Sequence, residues 1–352
     1  MYDFNYSLSS KILHQIALGN KSVMELSFDW ETAFQKNKFA NTENAVIVTG
    51  LARSGTTILM RALYETERFT CLTYNDMPFV LMPGIWSKMK VQKNKTVEEK
   101  ERAHADGIMV SINSPEAFEE IFWKCFCGND YIRKSFLVPH EPNNEVLQKF
   151  QLFIKHVLLN SNTTNTAKRY LSKNNNQLLR LPTLMANMPQ ATFVIPFRLP
   201  VAHAFSLLKQ HKHFTQMQKQ NAFVLKYMNW LGHYEFGMGH KPFIWDDDQY
   251  NTLQQYSIED INYWLVCWKN YYEQVLSLVG NNAVPICYED LSFRNAEQFQ
   301  HLLKRIDIPI KHSTLIFKNA NFPVKEKIDD SLLKACMFVY EALRDKAMQA
   351  CK

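Results

Sequence analysis

The chain has 352 residues, of which 46% are hydrophobic and 21% charged, and a formal net charge of +6. This composition excludes a disordered or low-complexity protein and allows one large domain or two. The positive charge suits an anionic ligand. However, the chain has no dense block of Lys and Arg and no zinc-finger spacing, so we expect no nucleic-acid partner.

The N-terminal segment lacks the basic and apolar regions of a secretion signal, and no run of 18 apolar residues predicts a membrane span. Seven cysteines, an odd number, favour reduced thiols in a cytoplasmic protein. Cys125 and Cys127 lack a second pair, so we expect no zinc site from them. Residues 7–38 carry apolar side chains at helical spacing and predict two short helices on the core.

The most informative stretch runs from Ala45 to Tyr64 and reads AVIVTGLARSGTTILMRALY. Its first five residues predict a strand buried on both faces, and the last seven predict the start of a helix. The loop between them is bounded by Gly50 and Gly55. A strand, a glycine loop and a helix together point backbone N–H groups and a helix N-terminus at a phosphate.

The loop matches the phosphate-binding pattern G-x-x-x-x-G-K-[ST], except that Thr56 stands at the lysine position. That lysine reaches the β- and γ-phosphates of a triphosphate, so its absence argues against an ATPase or a kinase. The loop can still bind a 5′-phosphate through its N–H groups, the Arg53 side chain and its hydroxyls. The alternative is a tight turn that contains two glycines by chance.

These residues resemble the 5′-phosphosulfate-binding loop of sulfotransferases, among them the bacterial carbohydrate and tyrosylprotein types. Those enzymes transfer a sulfuryl group from 3′-phosphoadenosine 5′-phosphosulfate (PAPS) to a hydroxyl or an amine. The resemblance implies PAPS as the co-substrate and a donor site formed by the consecutive residues Arg53, Ser54, Gly55, Thr56, Thr57 and Ile58.

Phe69–Tyr74 predicts a short strand, and Asp76 follows it. Ligands of open α/β sheets lie outside the carboxyl ends of the strands, so Asp76 is placed to face the loop. In several sulfotransferases an acid at about this distance deprotonates the acceptor. The match falls on Asp76 or its neighbour Asn75, and the resemblance makes Asp76 the candidate general base, although the family residue is usually Glu. The alternative is that Asp76 caps the next helix.

Residues 87–107 are the most polar stretch and predict an exposed segment that ends in a charged helix. The segment could cover the acceptor or be a surface insertion. His104 is a second candidate base, because cytosolic sulfotransferases commonly use a histidine in this region. Asp106, Glu116 and Glu119 rank below it. For Glu116 and Glu119 the alternative is structural, since acids in the first turns of a helix complement the helix dipole.

Residues 168–172 predict a strand, and Lys173 begins the turn at its end. The position resembles one at which many sulfotransferases place a lysine beside the phosphosulfate bridge. Such a lysine stabilises the charge that develops on the leaving group. The resemblance implies that Lys173 and Arg53 act in catalysis. The alternative for Lys173 is an ordinary exposed loop lysine.

A second landmark lies at residues 191–206, where a predicted strand ends in Arg198 and a helix follows Pro200. Sulfotransferases place an Arg at the end of such a strand and a Ser eight residues later, and both contact the 3′-phosphate of the nucleotide. Arg198 and Ser206 have this spacing. A 3′-phosphate needs a cation with fork geometry and a hydroxyl donor, which the two side chains supply. Leu199 departs from the usual Asp.

The rest of the chain adds structural expectations only. His203, His211 and His213 match no zinc motif and are expected on the surface of a helix. Residues 214–257 are expected to be irregular, with the acids at 246–248 in a loop or a helix cap. A helix over 258–280 and a strand over 283–287 precede Tyr288-Glu289-Asp290-Leu291, which resembles a structural landmark of the family. Lys318 matches the family's nucleotide clamp poorly and receives no role.

These expectations combine into one α/β domain over residues 1–352, with a mainly parallel central sheet, helices on both sides and an insertion around 87–160. The resemblance implies a PAPS-dependent sulfotransferase that needs no metal. A carbohydrate hydroxyl is the favoured acceptor, because the insertion and the positive charge suit a polar or anionic chain. A tyrosine, lipid or small alcohol remains open. The alternatives are a nucleotide or small-molecule kinase and a non-catalytic nucleotide-binding protein.

Overall fold

The computed structural model describes residues 6–90, 99–104, 107–160, 168–280, 282–293, 297–309 and 327–350. Their strands are β1 (Val46–Val48), β2 (Phe69–Thr70), β3 (Lys100–Glu101), β4 (Met109–Val110), β5 (Arg169–Lys173), β6 (Thr192–Phe197) and β7 (Ala283–Cys287). Five of them form a parallel sheet in the order β2-β5-β1-β6-β7, and β3 and β4 form a short antiparallel pair. The predicted mainly parallel sheet is confirmed.

The described helices before β6 are α1 (Leu8–Gly19), α2 (Lys21–Phe34), α3 (Thr56–Tyr64), α4 (Pro83–Met89), α5 (Glu120–Tyr131), α6 (Asn144–Leu159) and α7 (Leu181–Asn187). Those after it are α8 (Pro200–Gln220), α9 (Ala222–Leu231), α10 (Asp247–Leu253), α11 (Ile261–Leu278), α12 (Tyr288–Phe293), α13 (Glu297–Arg305) and α14 (Asp330–Ala350). Short 3-10 helices span Tyr74–Asp76, Asn175–Arg180 and Gly237–Gly239.

The alternation of side chains along the strands divides the core into two layers. In β1, Val46 and Val48 pack with α3 and α13 on one face of the sheet. Ile47 points to the other face, where it joins a larger core built from α5, α6, α8, α11 and α14. Successive side chains of a strand point to opposite faces, so apolar residues at every position of β1 fit a strand covered on both sides.

The register of the sheet sets the carboxyl ends of three strands side by side. Val48 of β1 pairs with Lys173 of β5 and with Val194 of β6. The pairing continues one residue further, where the Asn174 N–H donates to Val48 O at 2.9 Å. The loop after β1, the turn after β5 and the end of β6 therefore meet at one edge of the sheet.

The region expected to be irregular, residues 214–257, is largely helical, and that prediction was wrong. Helix α8 extends over 21 residues, and α9 follows it almost directly. Several polar side chains of α8, among them Gln210 and His211, are buried. This inward polar face weakens the apolar periodicity by which a helix is recognised. Asp246 caps α10 by accepting from the Gln249 N–H at 2.8 Å, which confirms the cap expected at 246–248.

Other sequence expectations have mixed outcomes. His203 and His211 are buried rather than on the surface. Residues 100–101 form a strand that pairs with residues 109–110, where the polar segment 87–107 was expected to end in a charged helix, so that prediction was wrong for the described residues. Residues 91–98, 105 and 106 of the segment lie outside the described residues, as does Lys318. The six described cysteines are free thiols. Within the described ranges, no helix combines the length and apolar character needed to cross a membrane.

A buried polar network fixes the start of α5 under the turn after β5. The guanidinium of Arg180 donates to both carboxylate oxygens of Glu120 at 3.1 Å, and both side chains are almost fully buried. The same carboxylate accepts from the amide of Asn174 at 2.8 Å and from the hydroxyl of Tyr131. The buried pair of Glu120 and Arg180 therefore helps to orient Asn174, the residue that follows Lys173.

Glu120→Gln is expected to lower the free energy of unfolding by about 3–5 kcal/mol, because it leaves the buried guanidinium of Arg180 without a counter-charge. Urea unfolding at neutral pH measures this loss. The control Glu25→Gln removes an exposed pair with Lys21 and should change the midpoint very little. Equal stabilities of the two variants would contradict a structural role for the buried pair.

Candidate active site

The phosphate-binding loop lies between β1 and α3 and has a backbone suited to an anion. Arg53 and Gly55 both have a left-handed backbone, with φ of 72° and 100°. A Cβ atom on Gly55 would lie 2.4 Å from the Tyr288 ring, so only glycine fits there. Helix α3 starts directly afterwards, at Thr56. Its N-terminus and the left-handed residues form a concave array of N–H groups for an oxyanion.

Cationic side chains surround this loop. Arg53 donates through Nε to Ser206 Oγ at 3.3 Å, which joins the two halves of the predicted donor site. Arg102 donates to the Thr57 hydroxyl at 3.1 Å. Burial lowers the pKa of Lys173. The carboxylates of Glu116 and Glu235 raise it in part, and the positive charges of Arg102 and Arg53 lower it again. Arg53, Arg102 and Lys173 therefore lie near one another at this end of the sheet.

Arg198 lies at the same edge of the sheet, beyond β6. Its guanidinium is over the Tyr288 ring at 5.1 Å, and its Nε is 3.9 Å from a carboxylate oxygen of Glu289. The same oxygen of Glu289 accepts a hydrogen bond from the Leu199 N–H at 3.0 Å, which fixes the turn into α8. Ser206, about two turns of helix beyond Leu199, is buried and faces Arg53. The predicted pair of Arg198 and Ser206 thus borders the loop.

Glu116 is the carboxylate with the clearest electrostatic link to these cations. Its backbone N–H donates to Leu72 O at 3.1 Å, which holds it beside the end of β2. The Tyr74 hydroxyl donates to its carboxylate at 2.6 Å. Burial raises the pKa of Glu116, but Lys173, Arg102 and the bond from Tyr74 outweigh burial and lower it below its usual value. Glu116 is therefore ionised at neutral pH.

Asp76 occupies a different setting. One carboxylate oxygen accepts from the N–H and the hydroxyl of Thr73 at 2.7 and 3.0 Å, which makes it a cap of its own 3-10 helix. The other oxygen accepts from the Asn160 amide at 3.0 Å. Burial raises the pKa of Asp76 despite these bonds and the nearby charge of Lys90. Its role as general base stays a prediction.

The remaining candidate bases divide between three settings. The ring of His104 packs edge-on against Phe214 of α8, 5.1 Å between centroids. Glu119 is buried and accepts hydrogen bonds from Trp123 and Tyr170. Asp106 lies outside the described residues. Of the predicted bases in the described ranges, Asp76 and Glu116 are those beside the end of β2.

The structure adds three residues that the sequence did not assign to the site. Arg102 contacts the loop from the β3–β4 pair, Glu235 accepts from the Asn175 amide at 2.7 Å, and Glu289 lies beside Arg198. For Arg102 and Glu235 the chain offers no local motif. The Tyr-Glu-Asp-Leu landmark after β7 was the available signal for Glu289, and it was interpreted only as a structural marker.

A buried histidine supports the loop from below. His203 Nε2 is 2.7 Å from the backbone oxygen of Ala52, so this nitrogen carries the proton and donates it. Burial lowers the pKa of His203 to about 3, more than the bond to Ala52 raises it, and the nearby Arg198 and Arg53 lower it further. The ring is therefore neutral over the whole physiological range and acts as a fixed donor to the loop.

Comparison with known proteins agrees with this geometry. A sequence model of the sulfotransferase family matches residues 45–248, more than half of the chain. The match begins just before β1 and includes the glycine loop, Lys173, Arg198 and Ser206. The protein belongs to the sulfotransferase family.

Three solved sulfotransferase structures are similar to the chain to different degrees. The sulfotransferase STF1 of Mycobacterium tuberculosis H37Rv superposes with a TM-score of 0.50 at 12% identity, over 99% of this chain and 88% of that one. STF9 of Mycobacterium avium gives 0.48 at 12% identity, over 88% and 76% of the two chains, and a sulfotransferase of Alicyclobacillus acidocaldarius gives 0.43 at 11%, over 88% and 96%. The first likeness supports a shared fold. A search of curated proteins finds no match.

His203→Gln is expected to make the protein less sensitive to acid. Because the fold lowers the pKa of His203, below pH 6.5 the unfolded chain binds a proton at this residue and the folded chain does not. The free energy of unfolding therefore falls as the pH is lowered from about 6.5 to about 3. Between pH 7 and pH 5 this group accounts for about 2 kcal/mol. Glutamine keeps an N–H donor for Ala52 but does not titrate.

Urea unfolding of both proteins at pH 7 and pH 5 measures the effect. The difference at pH 7 gives the structural cost of the substitution, and its change at pH 5 isolates the proton. If the wild type and the variant lose equal stability between the two pH values, His203 is not held neutral by the fold.

Proposed function

We propose that the protein transfers a sulfuryl group from PAPS to a hydroxyl of its acceptor. The observation that carries this proposal is the arrangement of cations around a glycine loop that lacks the P-loop lysine: Arg53, Arg102, Lys173 and Arg198. The family supports a sulfuryl donor rather than a nucleoside triphosphate.

The donor site fits the charges of PAPS. The loop N–H groups and the hydroxyls of Thr56 and Thr57 would hold the 5′-phosphosulfate, with Arg53 and Lys173 beside it. The guanidinium of Arg198 and the hydroxyl of Ser206 would hold the 3′-phosphate, as planar fork and hydroxyl donors do. Pairing with Glu116, Glu235 and Glu289 keeps these buried cations charged until the donor arrives.

We assign acceptor activation to Glu116. The acceptor oxygen forms a bond to sulfur while the bond from sulfur to the 5′-phosphate oxygen breaks, and the hydroxyl proton passes to the Glu116 carboxylate. Lys173 stabilises the negative charge that grows on the leaving 3′-phosphoadenosine 5′-phosphate. Bound donor competes for the cations that lower the pKa of Glu116, so its pKa rises toward the range of an effective base.

Asp76 is the competing candidate for the same role. Both acids lie near the end of β2. A backbone hydrogen bond from the Tyr74 N–H to Ser114 O, at 3.4 Å, joins the two segments that carry them. Glu116 is preferred because Lys173 and Arg102 interact electrostatically with its carboxylate, whereas the cation that acts on Asp76 is Lys90. Both carboxylates accept hydrogen bonds, from Tyr74 and Ala117 at Glu116 and from Thr73 and Asn160 at Asp76.

A carbohydrate hydroxyl is the acceptor class that we propose, as suggested by the polar segment around residues 87–107 and the net charge of +6. Arg102 of that segment reaches the loop, which brings the polar segment to the donor. A panel of saccharides, tyrosine peptides, long-chain alcohols and small alcohols, each incubated with PAPS, tests the class. Mass spectrometry should detect one added sulfuryl group on a saccharide. Transfer only to another member of the panel would overturn the carbohydrate assignment.

Glu116→Gln should reduce kcat by about 100-fold or more, because the amide keeps the shape of the side chain but accepts no proton. Asp76→Asn should leave kcat within a few-fold and lower the thermal midpoint instead. Release of 3′-phosphoadenosine 5′-phosphate under saturating PAPS measures both rates. The reverse pattern, with turnover lost only in Asp76→Asn, would return the base to Asp76.

Arg198→Ala should weaken the binding of 3′-phosphoadenosine 5′-phosphate by about 10- to 100-fold, which corresponds to loss of one charge-assisted hydrogen bond. Binding of the 5′-monophosphate, which lacks the 3′-phosphate, should change far less. Titration calorimetry gives both constants, and Arg344→Ala, which removes a half-exposed cation paired with Asp290, is the matched control. An equal loss for both nucleotides would place Arg198 elsewhere than at the 3′-phosphate.

A further inference from the structure

A second cluster of chemically reactive side chains lies at the far end of α5. Cys127 and Asp130 are three residues apart in the last turns of this helix, and His140 follows in the next loop. One ligand atom from each of the three lies within 4.8 Å of the other two. Cys127 is buried, His140 is partly buried and Asp130 is exposed.

Backbone contacts hold His140 in this position. Ile132 and Leu137 form an antiparallel bridge, and the Val138 N–H donates to Tyr131 O at 3.0 Å, which folds the chain back over the end of α5. The His140 N–H then donates to Leu179 O at 2.9 Å, and its ring stacks on Tyr131 with 4.9 Å between centroids. The imidazole is therefore fixed beside the helix.

The side chain of His140 nevertheless lacks partners. Both of its ring nitrogens are buried, and neither has a hydrogen-bond partner among the described residues. Buried polar atoms in proteins are nearly always satisfied, and an orphaned group calls for an explanation such as a missing ion. A ring nitrogen without a partner that lies within 4.8 Å of a thiol and a carboxylate is a suitable ligand for a metal ion.

We propose that Cys127, Asp130 and His140 bind a zinc ion that joins the end of α5 to the loop after it. A thiolate, an imidazole and a carboxylate are the donors that Zn²⁺ takes in proteins, and three protein ligands leave a fourth tetrahedral position for water. Ligand atoms of a tetrahedral zinc site lie about 3.5 Å apart, given bond lengths of about 2.0–2.3 Å. The exposed Asp130 carboxylate can close the remaining gap by rotation.

The charges of the site balance. A thiolate and a carboxylate supply two negative charges for the two positive charges of the ion. Arg180 lies close to the cluster, but its own charge is paired with Glu120. Cys127 is seven residues from Glu120 along α5, which is about 10 Å of helix, so the ion would not touch the donor site. Its role is structural and independent of the proposed sulfuryl transfer.

The test uses the full chain without a histidine tag, after treatment with a chelator. Zn²⁺ is added at one equivalent, and metal content and the thermal midpoint are measured. We expect one zinc per chain and a raised midpoint, whereas Mg²⁺, which prefers oxygen ligands, should have no effect. Asp130→Asn and His140→Gln should each weaken zinc binding by more than about 100-fold, a loss at least as large as removal of an outer partner causes.

A cobalt ion in place of zinc reports the thiolate directly. We expect a sulfur-to-cobalt charge-transfer band in the near ultraviolet for the wild type and for Cys125→Ser, the control on the same helix, and no band for Cys127→Ser. If Cys127→Ser does not fold, the other two variants decide the question. Absence of bound zinc, or equal affinity in the wild type and His140→Gln, would overturn the proposal.

Discussion

The structure depends on the position of β1 between β5 and β6 in one parallel sheet. Backbone hydrogen bonds continue past the ends of these strands, from the Asn174 N–H to Val48 O and from the Thr49 N–H to Val194 O, both at 2.9 Å. Three chain segments far apart in sequence are thereby held at one edge. The glycine loop, Lys173 and Arg198 come together because the strand register places the carboxyl ends of β1, β5 and β6 side by side.

Three of the cations at this edge, Arg102, Lys173 and Arg198, are buried and Arg53 is partly buried, and carboxylates lie near them. Burying a cation without a partner is costly, and the carboxylates of Glu116, Glu235 and Glu289 offset that cost by compensating the positive charges. The pKa values of these carboxylates would also depend on ligand binding, since a bound anion would interact with the same cations and raise the proton affinity of the carboxylates. We infer that donor binding thereby raises the pKa of Glu116 and makes it a better base toward the acceptor hydroxyl.

Local patterns in the sequence predicted the parts of the site that lie within one structural unit. The loop between β1 and α3, and the pair Arg198 and Ser206 across one turn, depend on short spacings and were recognisable. Contacts such as Arg102 to Thr57, between residues 45 positions apart, have no such signal. Helix α8 was underestimated because buried polar residues interrupt its apolar stripe. Three strands of the sheet, β1, β6 and β7, were predictable because each is a short, mainly apolar run.

The most direct test of the central claim compares thermal stabilisation by 3′-phosphoadenosine 5′-phosphate, ADP and Mg-ATP. A ligand present at about 100 times its Kd adds roughly 2.7 kcal/mol to the free energy of unfolding, which raises the midpoint measurably. The account predicts stabilisation by the 3′-phosphorylated nucleotide at concentrations at which the other two have no effect. Stabilisation by Mg-ATP instead would contradict a sulfuryl-donor site and favour a phosphoryl-transfer enzyme.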